Sequence, residues 1–333
     1  MTDTLGRRLA DLRISVTDRC NMRCTYCMPR EFFDSQYAFL PRDDILTFEE
    51  IDRVTGLFIG LGVGKIRLTG GEPLLRRGVG DLVSMLRATA PSADIAMTSN
   101  GVLLPRHAVA LAEAGLDRVS VSLDAVDAVV FRMITDTGFE VGQVLDGIAA
   151  AESAGLGPVK VNAVIVRSIN DSQVEALAER FRNTGIIVRF IEYMDVGVTN
   201  GWKLDEVVPS AEVIERIAAR WPLEPVEPGY RGEVAGRYRY TDGSGEIGMI
   251  SSVTRPFCGD CTRVRLSADG KLYTCLFATA GTDIRGPLRD GATDDELVAM
   301  IGEMWSTRDD QYSELRAQAT KDLQRVEMSY IGG

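Results

Sequence analysis

A single histidine, His107, occurs among the 333 residues, and it lies in a stretch of helical spacing away from every other unusual feature. Basic residues are in the minority, 37 Lys and Arg against 48 Asp and Glu, giving a net charge of −11. That balance argues against a nucleic-acid surface or an anionic membrane face, both of which need a basic footprint. A few arginines in a pocket can still hold a small anion. No apolar run is long enough to span a bilayer, there is no internal repeat or low-complexity tract, and the opening Met-Thr-Asp-Thr-Leu-Gly-Arg-Arg does not resemble a secretory signal. Cysteine is scarce too: the six fall into two trios, Cys20/Cys24/Cys27 and Cys258/Cys261/Cys275, with none left over. Disulfides are therefore disfavoured, and a cytoplasmic, oxygen-sensitive protein is expected.

The first trio stands in the run Cys20-Asn-Met-Arg-Cys24-Thr-Tyr26-Cys27, directly after a strand-like segment at 12–16. Thiolates at this spacing share one loop and can reach one metal centre. A closed zinc or [4Fe–4S] site takes four protein ligands, so the set is one short. Either an aspartate completes a zinc site, or a cluster is held with one iron open to a small molecule. Cys258-Gly-Asp-Cys261 is a weak signal alone, but with Cys275 it again gives three thiolates, with Asp260 or Asp269 as the candidate fourth ligand for zinc. Cys261, Arg263 and Arg265 are spaced by two and share one face of a strand. A three-residue loop over 268–270, with Gly270 left-handed, sets Cys275 opposite Arg263 on that face, whereas a two-residue loop turns it away. Two guanidiniums beside an open metal centre suit an anionic, multidentate ligand; otherwise they are solvated arginines on an exposed strand.

Strand patterns at 12–16, 65–69, 94–98, 118–122, 159–166 and 187–192 alternate with helical spacing at 48–61, 80–89, 106–114, 141–154 and 172–184. Thr47 and Glu50 make a capping box for the first helix. Such alternation implies a parallel sheet with right-handed crossovers. Six strands are two short of a closed eight-fold barrel, so the expected fold is α/β, an open (β/α)6 partial TIM barrel. Polar or glycine-rich runs stand at four strand ends: Gly70-Gly71-Glu72-Pro73, Thr98-Ser99-Asn100-Gly101, Ser122-Leu123-Asp124 and Glu192-Tyr193-Met194-Asp195. Sites in parallel α/β folds collect there. A helix from 210 to about 221 precedes a linker marked by Pro222, Pro225 and Pro228. Beyond it the period moves towards two, with a hairpin around Asp242-Gly243-Ser244-Gly245, then the second trio and a helix near 294–305. The expected division is 5–222 and a smaller β-rich domain, 223–333.

The three-cysteine loop with Tyr26, followed by Gly-Gly-Glu-Pro at a second strand end, resembles the radical S-adenosylmethionine (SAM) enzymes. Cys258-Gly-Asp-Cys261-Thr-Arg263-Val264-Arg265, a further single cysteine and a Gly332-Gly333 terminus narrow the resemblance to the GTP 3′,8-cyclase family of molybdenum-cofactor biosynthesis, over essentially the whole chain. The resemblance implies two three-cysteine [4Fe–4S] clusters, one holding SAM and one meeting the guanine of GTP. It also implies radical cyclisation of GTP to (8S)-3′,8-cyclo-7,8-dihydroguanosine 5′-triphosphate. By the same resemblance Tyr26, Gly71, Ser122 and Met194 contact SAM, and Arg13, Arg67, Thr98, Lys160, Arg263, Val264 and Arg265 contact GTP. Arg189, Gly332 and Gly333 are weaker catalytic candidates, and on physical grounds alone Gly332-Gly333 reads as a frayed terminus. Arg13, Arg67 and Lys160 interrupt strands that a parallel sheet buries, so each needs a partner: a triphosphate or a buried carboxylate. The expected partners are GTP, an electron donor and the downstream cyclic pyranopterin monophosphate synthase, with the chain a monomer or homodimer. The rivals are a peptide-modifying radical SAM enzyme, which would not need the paired arginines, and a non-catalytic zinc module.

Overall fold

Apolar residues at every second position of the strand segments meet the apolar faces of the helices between them, and this builds the core. The computed structural model describes residues 1–230, 232–319 and 325–332. Six strands, β1 (Asp11–Ser15), β2 (Lys65–Thr69), β3 (Asp94–Ser99), β4 (Arg118–Ser122), β5 (Lys160–Ile165) and β6 (Ile187–Glu192), pair in parallel in sequence order. Leu12, Ile14, Ile66, Leu68, Ile95, Met97, Val119, Val121, Val161, Val188 and Phe190 point outward and are buried under the helices. The residues between them face the concave side, and there the strands carry Arg13, Arg67, Thr98, Ser120, Asn162 and Arg189. Period two thus sorts one strand set into a dry outer core and a polar interior.

The C-terminal third adds β7 (Leu223–Val226), β8 (Gly236–Tyr240), β9 (Glu246–Ile250), β10 (Arg263–Leu266), β11 (Lys271–Tyr273) and β12 (Thr282–Asp283). These strands extend the same sheet at both edges: β9 lies parallel beside β6, and β10 parallel beside β1. The order is β12-β11-β10-β1-β2-β3-β4-β5-β6-β9-β8-β7, a mixed sheet that does not close. The open six-strand barrel is therefore present, with both edges widened by late strands. β7 occupies the stretch expected as a proline linker; it is an edge strand paired only with β8, where the missing N–H of Pro225 is tolerated.

Helix Phe48–Gly60 opens with the expected capping box: Glu50 N–H donates to Thr47 Oγ1 at 3.1 Å and Thr47 N–H to Glu50 Oε2 at 2.7 Å. Helix Ala128–Thr135 was not expected from spacing; Asp127 caps it by accepting from the Val129 and Val130 N–H groups. The chain end also differs from the frayed tail expected. Met328–Ile331 form a helical turn, Ile331 is buried, and the Gly332 carbonyl accepts from Arg265. Gly333 lies outside the described residues.

Glu192, buried at the end of β6, ties this architecture to the second trio. Its carboxylate accepts from Ser210 N–H and Oγ–H at 2.8 and 2.9 Å and from the N–H groups of Val253 and Thr254 at 2.8 Å each. Truncation strands these buried donors. Glu192→Ala is expected to cost about 3 kcal/mol or more of stability in urea denaturation; a change below about 1 kcal/mol would mean that water replaces the carboxylate.

Candidate active site

The first cysteine loop leaves β1 and is held from both sides. Arg23 and Thr25 N–H donate to the Thr135 and Ile134 carbonyls at the end of helix Ala128–Thr135, and Cys27 N–H to the Cys24 carbonyl. The Arg23 guanidinium donates to the carbonyls of Cys20, Met22 and Phe33. From β2, Gly71 N–H donates to the Thr17 carbonyl and Glu72 N–H to the Arg19 carbonyl, both at 2.8 Å. A Cβ on Gly71 would stand 2.5 Å from the Arg19 carbonyl carbon and 3.0 Å from Cys20 N. Glycine is required here because the cysteine loop lies directly against it.

Two buried carboxylates brace the same loop. Glu72 accepts from Ser99 Oγ–H and from the Leu74 and Asn100 N–H groups; burial lifts its carboxyl to about 7. Asp124 accepts from Tyr26 Oη–H at 2.9 Å and Val164 N–H at 2.8 Å, and burial lifts it to about 6. The sequence reading gave neither a role, although both stand in the strand-end runs. Tyr26 is thus anchored to β4 through Asp124.

The second trio follows the expected register. Arg265 pairs with Tyr273 and Leu266 with Leu272, around a three-residue loop in which Gly270 has φ +80°. Continued by two residues, this pairing sets Cys275 across from Arg263. Arg263 Nη2 donates to Cys261 Sγ at 3.2 Å. Asp269 is turned into the hairpin, accepting from Ser267 Oγ–H at 2.6 Å and pairing with Lys271, so it does not complete a metal set.

All six cysteines line one cavity of about 340 Å³ on the concave face. Tyr26, Gly71, Ser122 and Met194 line it, as do Arg13, Arg67, Thr98, Arg189, Arg263 and Arg265. Lys160 is not among the residues lining the cavity; it shares the face of Asn162 on β5 and feels the charges of Arg189, Arg118 and Arg67. Val264 sends its side chain to the outer core, so only its backbone is available to the cavity. Gly332 also stands off the wall, at Arg265. Arg118, which the sequence reading passed over, lines the cavity too but is paired with Asp94.

Among the described residues, Arg13, Arg67, Lys160, Arg189, Arg263 and Arg265 form no ion pair with a carboxylate. Burial, then the neighbouring Arg265, Arg263 and Arg67, holds Arg13 well below its ordinary value. Burial, then Arg118 and Arg189, brings Arg67 down to about 10. Burial, then Arg189, Arg118 and Arg67, brings Lys160 to about 7. Of the two partners the strand arginines allowed, the buried carboxylate is absent among the described residues. Positive charge is therefore concentrated in this cavity, inside a chain of net charge −11.

Residues 14–181 match the Radical SAM superfamily and residues 186–314 match Molybdenum Cofactor Synthesis C. A GTP 3′,8-cyclase of Acidothermus cellulolyticus is 52% identical, over 99% of this chain and 98% of its own length. The chain belongs to the GTP 3′,8-cyclase family. Other members of that family, from Xanthomonas campestris pv. campestris and Staphylococcus epidermidis, are 49% and 48% identical, with 97% and 98% of their lengths covered. Among solved structures, Streptococcus suis SuiB bound to S-adenosylmethionine aligns with TM-score 0.63 at 14% identity, covering 98% of this chain and 73% of that one. Methylornithine synthase (PylB) aligns with TM-score 0.51 at 15% identity, covering 94% and 86%. Both share the fold.

The residues present fit the family's two [4Fe–4S] clusters and SAM. Each trio is half-buried, its thiols are free, and it opens on the cavity. Gly71→Ala is accordingly expected to displace the first loop and cut SAM cleavage at least about 100-fold, with iron at the second trio retained; full SAM cleavage would contradict the contact.

Proposed function

We propose that this chain converts GTP and SAM to (8S)-3′,8-cyclo-7,8-dihydroguanosine 5′-triphosphate, the first step of molybdenum-cofactor biosynthesis. The observation that carries this reading is the single cavity walled by both cysteine trios with unpaired cations between them. When bound, the first cluster supplies the electron that cleaves SAM and yields the hydrogen-abstracting 5′-deoxyadenosyl radical.

Cys20, Cys24 and Cys27 hold that cluster, and Cys258, Cys261 and Cys275 hold the second. Tyr26, Gly71, Ser122 and Met194 contact SAM. Arg13, Arg67, Thr98 and Lys160 hold the triphosphate; Arg263, the Val264 backbone and Arg265 hold the nucleotide near the second trio. Arg189, Gly332 and Gly333 are the weaker catalytic candidates. Gripping the nucleotide at both ends presents its ribose to the radical, which makes the step one of positioning. The concave face also keeps solvent from the reacting atoms. We assign residues 5–222 to the radical SAM core and 223–333 to a C-terminal domain carrying the second cluster. A cytoplasmic setting suits six free thiols; an electron donor and the downstream cyclic pyranopterin monophosphate synthase are the expected partners. No helix among the described residues is long and apolar enough to cross a membrane.

Lys160 gives this reading a pH signature. With its ammonium at about 7 in the empty cavity, a bound triphosphate raises it again. Binding at pH 8 should take up a proton, and affinity should fall as pH rises above 7, by up to about tenfold per unit, until the bound-state value is passed. Calorimetry in two buffers of different ionisation enthalpy measures the uptake; none, with pH-independent affinity, removes Lys160 from the triphosphate site.

The reading is tested by anaerobic incubation of the reconstituted chain with SAM, a strong reductant and each of the four common ribonucleoside triphosphates. GTP alone should be consumed, with one 5′-deoxyadenosine formed per cyclised nucleotide. Turnover of a peptide with no nucleotide consumed would favour a peptide-modifying enzyme instead.

A further inference from the structure

Three buried charges, Asp3, Arg7 and Arg308, and the half-buried Asp310, from opposite ends of the chain, meet behind the second cysteine trio. Residues 1–9 fold back on themselves: Thr2 and Arg8 form an antiparallel bridge, and Asp3 Oδ1 accepts from the Leu5 and Arg7 N–H groups at 3.0 and 2.8 Å. Asp3 Oδ2 pairs with Arg7 Nε at 2.5 Å and with Arg308 Nη1 at 3.3 Å; all three side chains are no more than 1% exposed. Both guanidiniums then reach the cysteine turn. Arg7 Nη1 donates to the carbonyls of Cys258 at 2.9 Å and Asp310 at 2.6 Å. Arg308 Nη1 donates to the Cys261 carbonyl at 2.8 Å, and its Nε to Asp310 Oδ2 at 3.1 Å. Trp305, fully buried, lies under the Arg308 guanidinium at 4.6 Å and donates its indole N–H to the Arg7 carbonyl at 3.2 Å.

Taking the Asp3, Arg7 and Arg308 charges out of water is costly before any pairing. Here the guanidiniums donate to three backbone carbonyls, and two of them belong to cysteines of the second trio. Those carbonyls fix the Cys258–Asp260 turn and so the directions of its thiols. Arg308 and Asp310 also reach the cavity wall. Buried charges at this depth are little screened by salt.

We propose that Asp3, Arg7, Arg308 and Asp310 form a charge-neutral clamp that positions the Cys258–Cys261 turn and sets the reduction potential of the cluster held there. They are positioning residues acting through the cysteine backbone. A guanidinium beside the cluster favours its reduced, more negative form, and a carboxylate disfavours it. Removing one member of the clamp therefore shifts the potential in a direction set by the sign of the charge removed.

The proposal rests on the second trio holding a cluster. If the reconstituted parent chain loads iron and sulfide for one cluster only, that reading fails before the clamp is tested. With both loaded, potentiometric titration followed by EPR of the full-length holoenzyme compares Arg308→Gln, Arg308→Lys and Asp3→Asn with the parent. Arg308→Gln should shift the second cluster's midpoint downward and Asp3→Asn upward, Arg308→Lys should restore most of the parent value, and the first cluster's signal should not move. Loss of about half the iron in Arg308→Gln, with retention in Arg308→Lys, also supports the clamp. Parent-like potentials and spectra in both Arg308→Gln and Asp3→Asn would overturn it. So would shifts of the same sign in both, or loss of both clusters with a lowered Tm in every variant, which would make the network a folding element.

Discussion

Arg67→Met is expected to weaken GTP binding at least about 100-fold while making the empty chain more stable than its parent. Arg67 stands mid-strand in β2 with its guanidinium in the cavity, hydrogen-bonded among the described residues only to the Thr98 and Ser120 hydroxyls at 3.2 and 3.3 Å. Burial, then Arg118 and Arg189, brings it down to about 10, so in the empty cavity the charge is unfavourable. Methionine keeps much of the apolar stem and drops the charge, which relieves the repulsion. With triphosphate present the balance reverses, because charge-assisted hydrogen bonds contribute about 1.5–3 kcal/mol each and two of them exceed the roughly 2.7 kcal/mol that corresponds to 100-fold. One thermal series reads both effects: the variant's Tm without ligand should lie above the parent's, and added GTP should raise Tm in the parent far more than in the variant. A variant that is less stable when empty and equally stabilised by GTP would make Arg67 an ordinary structural residue.

Cys261→Ala should abolish GTP consumption, by about 1,000-fold or more, and leave slow SAM cleavage in place. The two trios differ in their surroundings. Burial, then Glu72, lifts Cys20 to about 11, and burial also lifts Cys24 and Cys27 well above their usual range. Burial acts upward on Cys261 too, but Arg263 and Arg308 more than offset it and hold its thiol at about 6. Cys261 thus sits in a cationic environment that suits an anionic ligand, whereas burial, then Asp310, lifts Cys275 to about 12. Losing a ligand of the second trio therefore removes the grip on the nucleotide and leaves the radical-generating end intact. Cys24→Ala should stop both reactions. Unimpaired GTP turnover in Cys261→Ala would mean that the second trio is structural.

The six parallel strands, their helices and the Cys275 register were legible because each is written locally, in period-two alternation, capping residues and the length of one turn. The insertion of β9 beside β6 and β10 beside β1 was not, since parallel pairing between distant segments leaves no pattern in either one. Pro225 read as a linker because its missing N–H counts against an interior strand, and only the three-dimensional fold shows it on an edge. In the site, the cysteines and strand arginines announced themselves by spacing and by charge in apolar strands. Glu72 and Asp124 were visible in the strand-end runs, yet their roles depend on the N–H and O–H groups that converge on them. Arg308 sits in no motif at all: its partners Asp3 and Cys261 lie 305 and 47 residues away along the chain.

Both cysteine trios serving one reaction in one cavity is the central claim, and transfer of a labelled hydrogen tests it most directly. The reconstituted holoenzyme is incubated anaerobically with reductant, SAM and GTP deuterated at C3′ of the ribose. The expected product is 5′-deoxyadenosine carrying deuterium, formed in step with the cyclised nucleotide. Unlabelled 5′-deoxyadenosine, with all the deuterium still at C3′ of intact GTP, would contradict it.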